Sequence, residues 1–412
     1  MQINNLVVRL SIGPIISTLL RHKYTVIMLV LQIAVAMAVL SNGLFIATER
    51  YKTIHTASGI DELNSFFLTS SGFSDDFNPR NSIQSDLALI RALPEVINAV
   101  KTDSFPYSNS GVEFSLSTHA KSQNGLAAAS YKLDENGLEA LGLELVAGQN
   151  FTKNQVVWQS ENATRFSPYV LLTKRTAEAL FNTNNWQSIL GKPVFIEKNH
   201  IVTVIGIIDK LHAPWADWEH VEHSFITPSV VTHNSSRYFI RVKPGALQTM
   251  MNEIEHSLAA HNSSRVIRKV TSISDAKKQV YGPDLAALSI LTVVMICLAV
   301  IVALGIMGAT ALKVLKQTKQ IGIRRALGAT QVDIMRYYLL ETLIVTSVGV
   351  LLGGIIAVFL NIVLVEHYAF SQLPIDYLVA ASVTMYFLSI LATLKPTLKA
   401  IKISPVTATQ SH

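Results

Sequence analysis

Five imidazole and indole side chains lie close together in the middle of the chain and could do metal chemistry. They are His212, Trp215, Trp218, His220 and His223. A histidine-rich tract can bind a metal ion, and His220 and His223 have the i, i+3 spacing of neighbours on a helix. Structural zinc sites use about four ligands, and no cysteine or second close histidine–carboxylate pair completes one here. The pattern favours a surface loop with aromatic contacts over a metal site, and a partner-binding surface is the milder functional alternative.

The sequence contains none of the short motifs that mark common enzymes. It has no G-x-x-x-x-G-K-[ST] phosphate loop, no H-E-x-x-H and no G-x-S-x-G, and Gly191-Lys192 is followed by Pro193. The one cysteine, Cys297, excludes an intramolecular disulfide. We therefore expect no catalytic residue, no bound cofactor and no metal in this chain, and any work it performs must draw energy from a partner.

The composition indicates a membrane protein. Hydrophobic residues make up 50% of the 412 residues and charged residues 15%, whereas soluble domains carry about 25% charged residues. A helix that crosses the bilayer needs about 20 apolar residues. Four stretches qualify as transmembrane helices, namely residues 24–47, 283–312, 337–365 and 375–394.

The distribution of Lys and Arg predicts the orientation of these helices. Basic residues precede the first helix, six of them occupy residues 313–336, and more follow the fourth helix, whereas residues 366–374 contain none. By the positive-inside rule both termini are cytoplasmic and the residues between the first two helices are periplasmic. The net charge of +6 then reflects topology and contact with membrane lipids, and no nucleic-acid partner is expected.

The remaining segments complete the predicted organisation. Residues 1–23 have apolar side chains at Ile3, Leu6, Val7 and Leu10, which is typical of an amphipathic helix in the membrane interface. Residues 48–282 alternate strand-like and helix-like segments. The fold class is thus a membrane α-helical protein with four transmembrane helices and a large α+β extracytoplasmic domain. We expect two subdomains, one built from the ends of that segment and one inserted. Residues 395–412 form a cytoplasmic tail.

The basic loop, residues 313–336, contains signals for a helix, a turn and a second helix. The segment up to Leu327 can form a helix, and Gly328 is a good residue to end it. Thr330 can cap the next helix, with Asp333 at the position of a capping box. A basic helix held in this way could dock into a groove of a partner protein, although a simple positive-inside anchor would have the same charge.

The basic loop also resembles a known family. Gln320-Ile-Gly-Ile-Arg-Arg-Ala-Leu-Gly-Ala-Thr330, followed by Asp333-Ile-Met-Arg-Tyr-Tyr-Leu-Leu-Glu341, is similar to the signature of FtsX-like permeases of the MacB type. Leu145-Val-Ala-Gly148 and Thr203-Val-Ile-Gly-Ile207 resemble the family's periplasmic core domain, and Lys399–Val406 resembles its closing motif. The family often has an acidic residue at the position of Gln320, and this departure leaves open whether the chain pairs with itself or with a different permease.

The resemblance implies a function for the chain. Such permeases sit in the bacterial inner membrane as dimers, each half bound to a cytoplasmic ABC ATPase that holds ATP and Mg²⁺, and some work with a periplasmic adaptor and an outer-membrane duct. The residues that would contact the ATPase are Lys319, Gln320, Gly322, Arg324, Arg325, Ala326, Leu327, Gly328, Ala329 and Thr330. The substrate would be a peptide, a lipoprotein or an amphiphilic compound. The alternatives are a mechanotransmission regulator of an envelope enzyme and a membrane-anchored sensor without transport.

Small residues also suggest where membrane helices pack closely. Gly349 and Gly353 form a G-x-x-x-G motif in the third transmembrane helix, and Ala34 and Ala38 have the same spacing in the first. Such motifs let helix backbones approach each other, and they are used both within chains and between subunits.

If the basic loop couples the chain to an ATPase, Arg325→Glu should uncouple ATP hydrolysis from the function of the chain. Charge reversal at a docking surface disturbs the contact and leaves the apolar helices able to insert. ATPase activity and substrate export, measured in the same vesicles, check this, and unchanged activity would count against the coupling role.

Overall fold

The computed structural model describes residues 12–120, 125–160, 167–197, 199–262, 264–368 and 372–401. These residues form two compact units. The helical unit lies within Met1–His55 and Pro283–His412, and the inserted unit is Thr56–Gly282. The predicted amphipathic pattern at Ile3, Leu6, Val7 and Leu10 and most of the tail 395–412 lie outside the described residues.

Helices and strands account for most of the described chain. The α-helices are α1 (Ile12–Arg21), α2 (Lys23–His55), α3 (Pro79–Arg91), α4 (Gly137–Leu141), α5 (Lys174–Phe181), α6 (Leu247–His261), α7 (Ile273–Lys316), α8 (Thr318–Ala326), α9 (Gln331–Tyr368) and α10 (Ile375–Ile401). The strands are β1 (Ser65–Gly72), β2 (Val96–Lys101), β3 (Val112–Ser117), β4 (Leu126–Leu133), β5 (Leu145–Gly148), β6 (Val157–Ser160), β7 (Tyr169–Thr173), β8 (Pro193–Ile196), β9 (His200–Ile208), β10 (Ser224–Thr232), β11 (Ser235–Val242) and β12 (Arg265–Ser272).

Four helices of the described chain are long and apolar enough to cross a membrane. They are α2, α7, most of α9 and α10, and each extends beyond the apolar stretch seen in the sequence. For example, α2 runs eight residues past Ala47 to His55, and its last turns carry Arg50 and Lys52. The four-helix prediction is confirmed by these helices. The extra turns are polar, and hydropathy alone therefore could not detect them.

A close helix contact of the helical unit joins α2 to α9. A Cβ atom built on Gly353 would lie 2.6 Å from the carbonyl oxygen of Ala34, and one on Gly349 would lie 2.6 Å from Cγ2 of Ile33. Asn42 Nδ2 donates a hydrogen bond to the carbonyl of Ala357 across the same pair of helices at 3.1 Å. The G-x-x-x-G motif is therefore used for packing within the chain, and its two glycines face α2 rather than a second subunit.

The inserted unit has two β-sheets, and their strands come from different parts of the sequence. The four-stranded sheet has the order β12-β1-β11-β2 and is antiparallel. Its strands come from the beginning and the end of the unit, and α3 and α6 contribute to its core. The two-subdomain arrangement expected from the sequence is thus confirmed, since the remaining strands form a separate sheet.

The second sheet of the described inserted unit contains the strands from β3 to β10. Its path is β4-β3-β8-β9-β7-β10-β6, and β5 pairs with β9. β10 also pairs with β4, in parallel. This pairing closes six strands into a ring, in the order β4, β3, β8, β9, β7 and β10. β8 and β9 pair in antiparallel register as a hairpin. Lys198, in its turn, lies outside the described residues.

A buried ion pair joins the elements around the four-stranded sheet. The Asp86 carboxylate in α3 pairs with the guanidinium of Arg265 in β12, and both side chains are almost fully buried. The hydroxyl of Tyr238 donates to the same carboxylate at 2.7 Å, and Arg265 Nη2 donates to the carbonyl of Leu258 at 2.7 Å. A buried charge is tolerated when it is paired and hydrogen-bonded in this way, and removing one partner alone is strongly destabilising.

Because Gly353 touches the α2 backbone, Gly353→Ala should lower the free energy of unfolding of the membrane protein by about 1–3 kcal/mol through overpacking. The control is Gly354→Ala at the next position of α9, where an added Cβ meets nothing within 4 Å. That variant should be neutral or gain up to about 1 kcal/mol of helix propensity. Unfolding in detergent measures both, and equal effects would contradict this packing.

Candidate functional site

The residues predicted to contact an ATPase lie on one short helix and the turn after it. Lys319, Gln320, Gly322, Arg324, Arg325 and Ala326 belong to α8, and Leu327, Gly328, Ala329 and Thr330 connect α8 to α9. The structure therefore gathers the predicted set into one continuous segment. We call residues 318–330 the α8 segment.

The α8 segment ends in a Schellman turn, a hydrogen-bonded cap at the carboxyl end of a helix. Gly328 has a φ of +100°, a conformation that favours glycine. The amide of Ala329 donates to the carbonyl of Arg324 at 3.0 Å, and the amide of Gly328 donates to that of Arg325 at 3.1 Å. These are the two bonds that define the motif. The predicted helix stop at Gly328 is confirmed.

A capping box begins α9 directly after this turn. The amide of Asp333 donates to Thr330 Oγ1 at 3.2 Å, and the amide of Thr330 donates to Asp333 Oδ2 at 3.0 Å. The two side chains thus satisfy amide groups that the helix itself leaves free. The predicted cap is confirmed, and α8 and α9 are joined by a short turn with defined hydrogen bonds.

A small hydrophobic cluster fixes α8 against its neighbours. Ile321 is 3% exposed and packs in a cluster with Val314, Ile334, Tyr338 and Ala400. These residues come from α7, α9 and α10. The hydroxyl of Tyr338 also donates to Gln317 Oε1 at 3.0 Å, just before α8 begins. The helix therefore contacts three membrane helices through one buried face.

The two arginines of α8 have partners within the helical unit. Arg325 Nη1 donates to the carbonyl of Ile401, the last residue of α10, at 3.1 Å. The Arg324 guanidinium lies 4.9 Å from the ring centroid of Tyr337, a cation–π distance. The sequence offered no sign of the Arg325 contact, because Ile401 is 76 residues away. Arg325→Glu would therefore disturb α10 as well as any partner.

The exposed face of the α8 segment is partly apolar. Leu327 is 83% exposed and Ile323 is 49% exposed. Residues four apart lie on the same side of a helix, so that these two side chains form a pair beside the exposed Lys319 and Gln320. An amphipathic helix that presents an apolar pair can bind in a hydrophobic groove of another protein.

An ion pair and a cavity lie near the same end of the helical unit. The ammonium of Lys313 in α7 pairs with the carboxylate of Glu341 in α9. Glu341 Oε2 is buried and has no hydrogen-bond partner among the described residues. Both side chains line a cavity of about 160 Å³, together with His22, Thr310 and Lys316. Lys313 and Glu341 are 28 residues apart in the chain, so that only the fold shows that they form a pair.

The His/Trp cluster is an aromatic contact region. The rings of Trp215 and Trp218 lie edge to face with centroids 5.5 Å apart, and those of His220 and His223 stack at 5.5 Å. His212 is 6% exposed, and burial lowers its pKa to about 4. The expectation of aromatic contacts is confirmed, but His212 is buried and not part of a surface loop. Among the described residues, no group of three or more His, Cys, Asp or Glu side chains could hold a metal ion.

Comparison with protein families decides the affiliation of the chain. The model described as the FtsX-like permease C-terminal matches residues 292–405, which include the whole α8 segment. The model described as the MacB-like periplasmic core domain matches residues 25–257, more than half of the chain. The chain belongs to the MacB/FtsX-type permease family. It is an ABC transporter permease by family, and its inserted unit is a MacB-like periplasmic core domain.

Individual relatives are distant and longer than this chain. It is 24% identical to the macrolide export ATP-binding/permease protein MacB of Campylobacter jejuni over 379 residues, or 90% of this chain and 54% of that protein. It is 23% identical to the MacB of Neisseria meningitidis over 425 residues, or 97% of this chain and 60% of that protein. The chain thus spans little more than half the length of these curated relatives.

One solved structure is similar to part of this chain. The periplasmic region of MacB from Actinobacillus actinomycetemcomitans matches 56% of this chain and 98% of its own, with 18% identity and a TM-score of 0.34.

Because Gly328 has a positive φ, Gly328→Ala should open the end of α8. A left-handed conformation costs an L-residue about 1–2 kcal/mol. This cost raises the fraction of molecules in which the end of α8 is unfolded by about 5–30-fold. We expect trypsin to cleave after Arg324 and Arg325 faster by that factor. Gly308→Ala in α7, where an added Cβ meets nothing within 4 Å, is the control and should leave the cleavage rate unchanged. Equal rates in both variants would exclude this role for Gly328.

Proposed function

We propose that this chain is the membrane subunit of an ABC export system. In this proposal a separate cytoplasmic ATPase binds the α8 segment, and ATP hydrolysis there drives movement of the periplasmic core domain. The cargo is a peptide, a lipoprotein or an amphiphilic compound that this domain exports or extracts. The single observation that carries the proposal is the α8 segment itself, a helix held on three membrane helices with Ile323 and Leu327 exposed.

The exposed apolar pair supports a docking role. Full burial of a leucine side chain contributes roughly 1.5–3 kcal/mol, and Leu327 is 83% exposed in this chain. An exposed leucine beside basic side chains suits a groove with an apolar floor and an acidic rim. The first turn of α8 contains no acidic residue and its last turn contains Arg324 and Arg325. ATP and Mg²⁺ would be held by the ATPase and not by this chain.

The connections of α8 support the transmission of movement. The Schellman turn and the capping box leave little slack between α8 and α9, and Arg325 ties α8 to the end of α10. The Lys313–Glu341 ion pair ties α7 to α9. A displacement of α8 would therefore move α9 and α10 with it instead of being absorbed by a flexible loop. In the sequence, the periplasmic core domain is inserted between α2 and α7.

The proposed topology follows from charge. Both termini and the α8 segment are cytoplasmic, and the protein spans the bacterial inner membrane. Two permease subunits form the working unit, as a homodimer or a heterodimer, and an adaptor with an outer-membrane duct would extend the path. In the Lys313–Glu341 pair, Lys313 lies in the last turn of α7 and Glu341 lies in the N-terminal third of α9. Because this pair is not at mid-membrane, a charged path through the helices is not part of the proposal.

Leu327→Asp tests the docking role directly. It should weaken binding of the cassette ATPase about 10–100-fold, as expected for losing a buried leucine worth roughly 1.5–3 kcal/mol. Since Leu327 is 83% exposed, insertion and thermal stability should not change. Co-purification from the native host, followed by titration of the identified ATPase, measures the loss.

The matched control is Leu63→Asp, the same substitution at a leucine that is 75% exposed in the inserted unit. It should bind the ATPase normally. If the wild-type chain recruits no cassette ATPase, the proposal is wrong and a sensor without transport is favoured. If ATPase activity responds to an envelope enzyme and not to any exported compound, the chain is a mechanotransmission regulator.

A further inference from the structure

A polar cavity lies between the two sheets of the inserted unit. It has a volume of about 390 Å³ and is lined by Asp103, Ser130, Lys132, His233 and Arg237, among others. Ser130 and Lys132 belong to β4 of the larger sheet, and Arg237 belongs to β11 of the four-stranded sheet. At its edge Val112 is 54% exposed, so that the cavity can be reached from solvent. None of these residues belongs to the α8 segment.

One carboxylate in the cavity already has its partners. Lys101 Nζ donates to Asp103 Oδ2 at 2.6 Å, and His233 Nε2 lies 3.1 Å from Asp103 Oδ1. Burial acts to raise the pKa of Asp103, but the bond from His233 and the charge of Lys101 lower it to about 2. Asp103 is therefore an anion at neutral pH, and its charge is matched by that of Lys101, which is 1% exposed.

Two further cations have no carboxylate of their own. The ammonium group of Lys132 forms no ion pair or hydrogen bond with any residue that the structure describes. Burial lowers its pKa, against the opposing effect of the charge of Asp103. Arg237 donates from Nη1 to the backbone carbonyl of Asp103 at 3.1 Å, and its guanidinium lies 5.8 and 5.6 Å from the rings of Phe67 and Phe105. Burial lowers the pKa of Arg237 as well. The cavity thus holds more positive than negative charge.

Two buried polar atoms of lining residues also lack partners. They are Arg237 Nε and Ser130 Oγ, each buried and without a hydrogen-bond partner in the described structure. Buried donors are almost always satisfied by protein, water or a ligand. A bound anion would accept from both groups and supply the missing counter-charge, because charge-assisted hydrogen bonds to Arg and Lys are stronger than neutral ones.

We propose that this cavity binds a small anion with a phosphate or carboxylate group, held by Lys132, Arg237 and the hydroxyl of Ser130. Arg237 supplies a planar donor set beside two adjacent aromatic rings, Lys132 supplies a point charge, and Ser130 supplies a neutral donor. The anion is either free in solution or the end group of a larger molecule. Because the site joins strands of both sheets, its occupation also stabilises their arrangement.

The site is independent of the proposed export function, and its test needs no ATPase. The purified full-length chain in a zwitterionic detergent is titrated with inorganic phosphate or citrate at constant ionic strength, and its unfolding temperature is followed. Glycerol 3-phosphate, as the end group of a larger molecule, forms a second arm. Wild-type protein should show saturable stabilisation by at least one of these probes, and a lower half-saturation concentration for glycerol 3-phosphate than for phosphate favours an end group as the natural ligand.

Lys132→Gln should raise the half-saturation concentration at least tenfold, because it removes the cation. Lys132→Arg should keep this concentration within about threefold of the wild type, because it replaces one cation by another whose charge lies close to the same place. The matched control is Lys153→Gln, the same charge change at an exposed lysine of the same unit, and it should bind like the wild type.

Without added anion, Lys132→Gln should unfold at the same temperature as the wild type or a higher one, because it removes a repulsive charge. A lower temperature would mean that Lys132 stabilises the empty fold, and this would overturn the proposal. No saturable stabilisation by any probe, or equal responses of Lys132→Gln and Lys153→Gln, would overturn it too.

Discussion

The contact between α2 and α9 is the constraint on which the helical unit depends. At Gly353 the α2 carbonyl of Ala34 occupies the space that any side chain would need. Hydrophobic burial cannot drive helices together in lipid, so that close packing and interhelical hydrogen bonds must do so. The bond from Asn42 to Ala357 and the bond between Thr346 and Ser389 are of this kind. Since α9 begins at the capping box that follows α8, the position of α9 also sets that of the α8 segment.

Charge has different uses in the two units. In the helical unit, the basic side chains of the α8 segment lie beside the ends of the helices, and the Lys313–Glu341 pair neutralises a carboxylate close to them. In the inserted unit, the Asp86–Arg265 pair is buried and hydrogen-bonded to Tyr238 and Leu258, and it holds α3 against the four-stranded sheet. The cavity of Lys132 and Arg237 differs from both, because its cations exceed its carboxylates.

The sequence predicted local features better than long-range ones. The helix stop at Gly328 and the cap of Thr330 and Asp333 were predictable because each depends on residues a few positions apart. The strands β4 and β10 lack the local sequence signals of a strand. Eight of the nine residues of β10 are buried, so that the strand shows no alternation of apolar and polar residues, and it contains Pro228. β4 contains three alanines among its eight residues and lacks the β-branched residues that mark a strand.

The sequence by itself determined the four apolar helices, the α+β character of the inserted unit, the turn after α8 and the family. Each of these depends on composition, periodicity or a contiguous motif, which folding does not change. Only the tertiary structure decided that Arg325 bonds to Ile401, that Gly349 and Gly353 pack on α2, that Lys313 pairs with Glu341, and that Lys132 and Arg237 face a common cavity. Such contacts join residues far apart in the chain. They depend on how helices and strands pack, and no local pattern in the sequence predicts this packing.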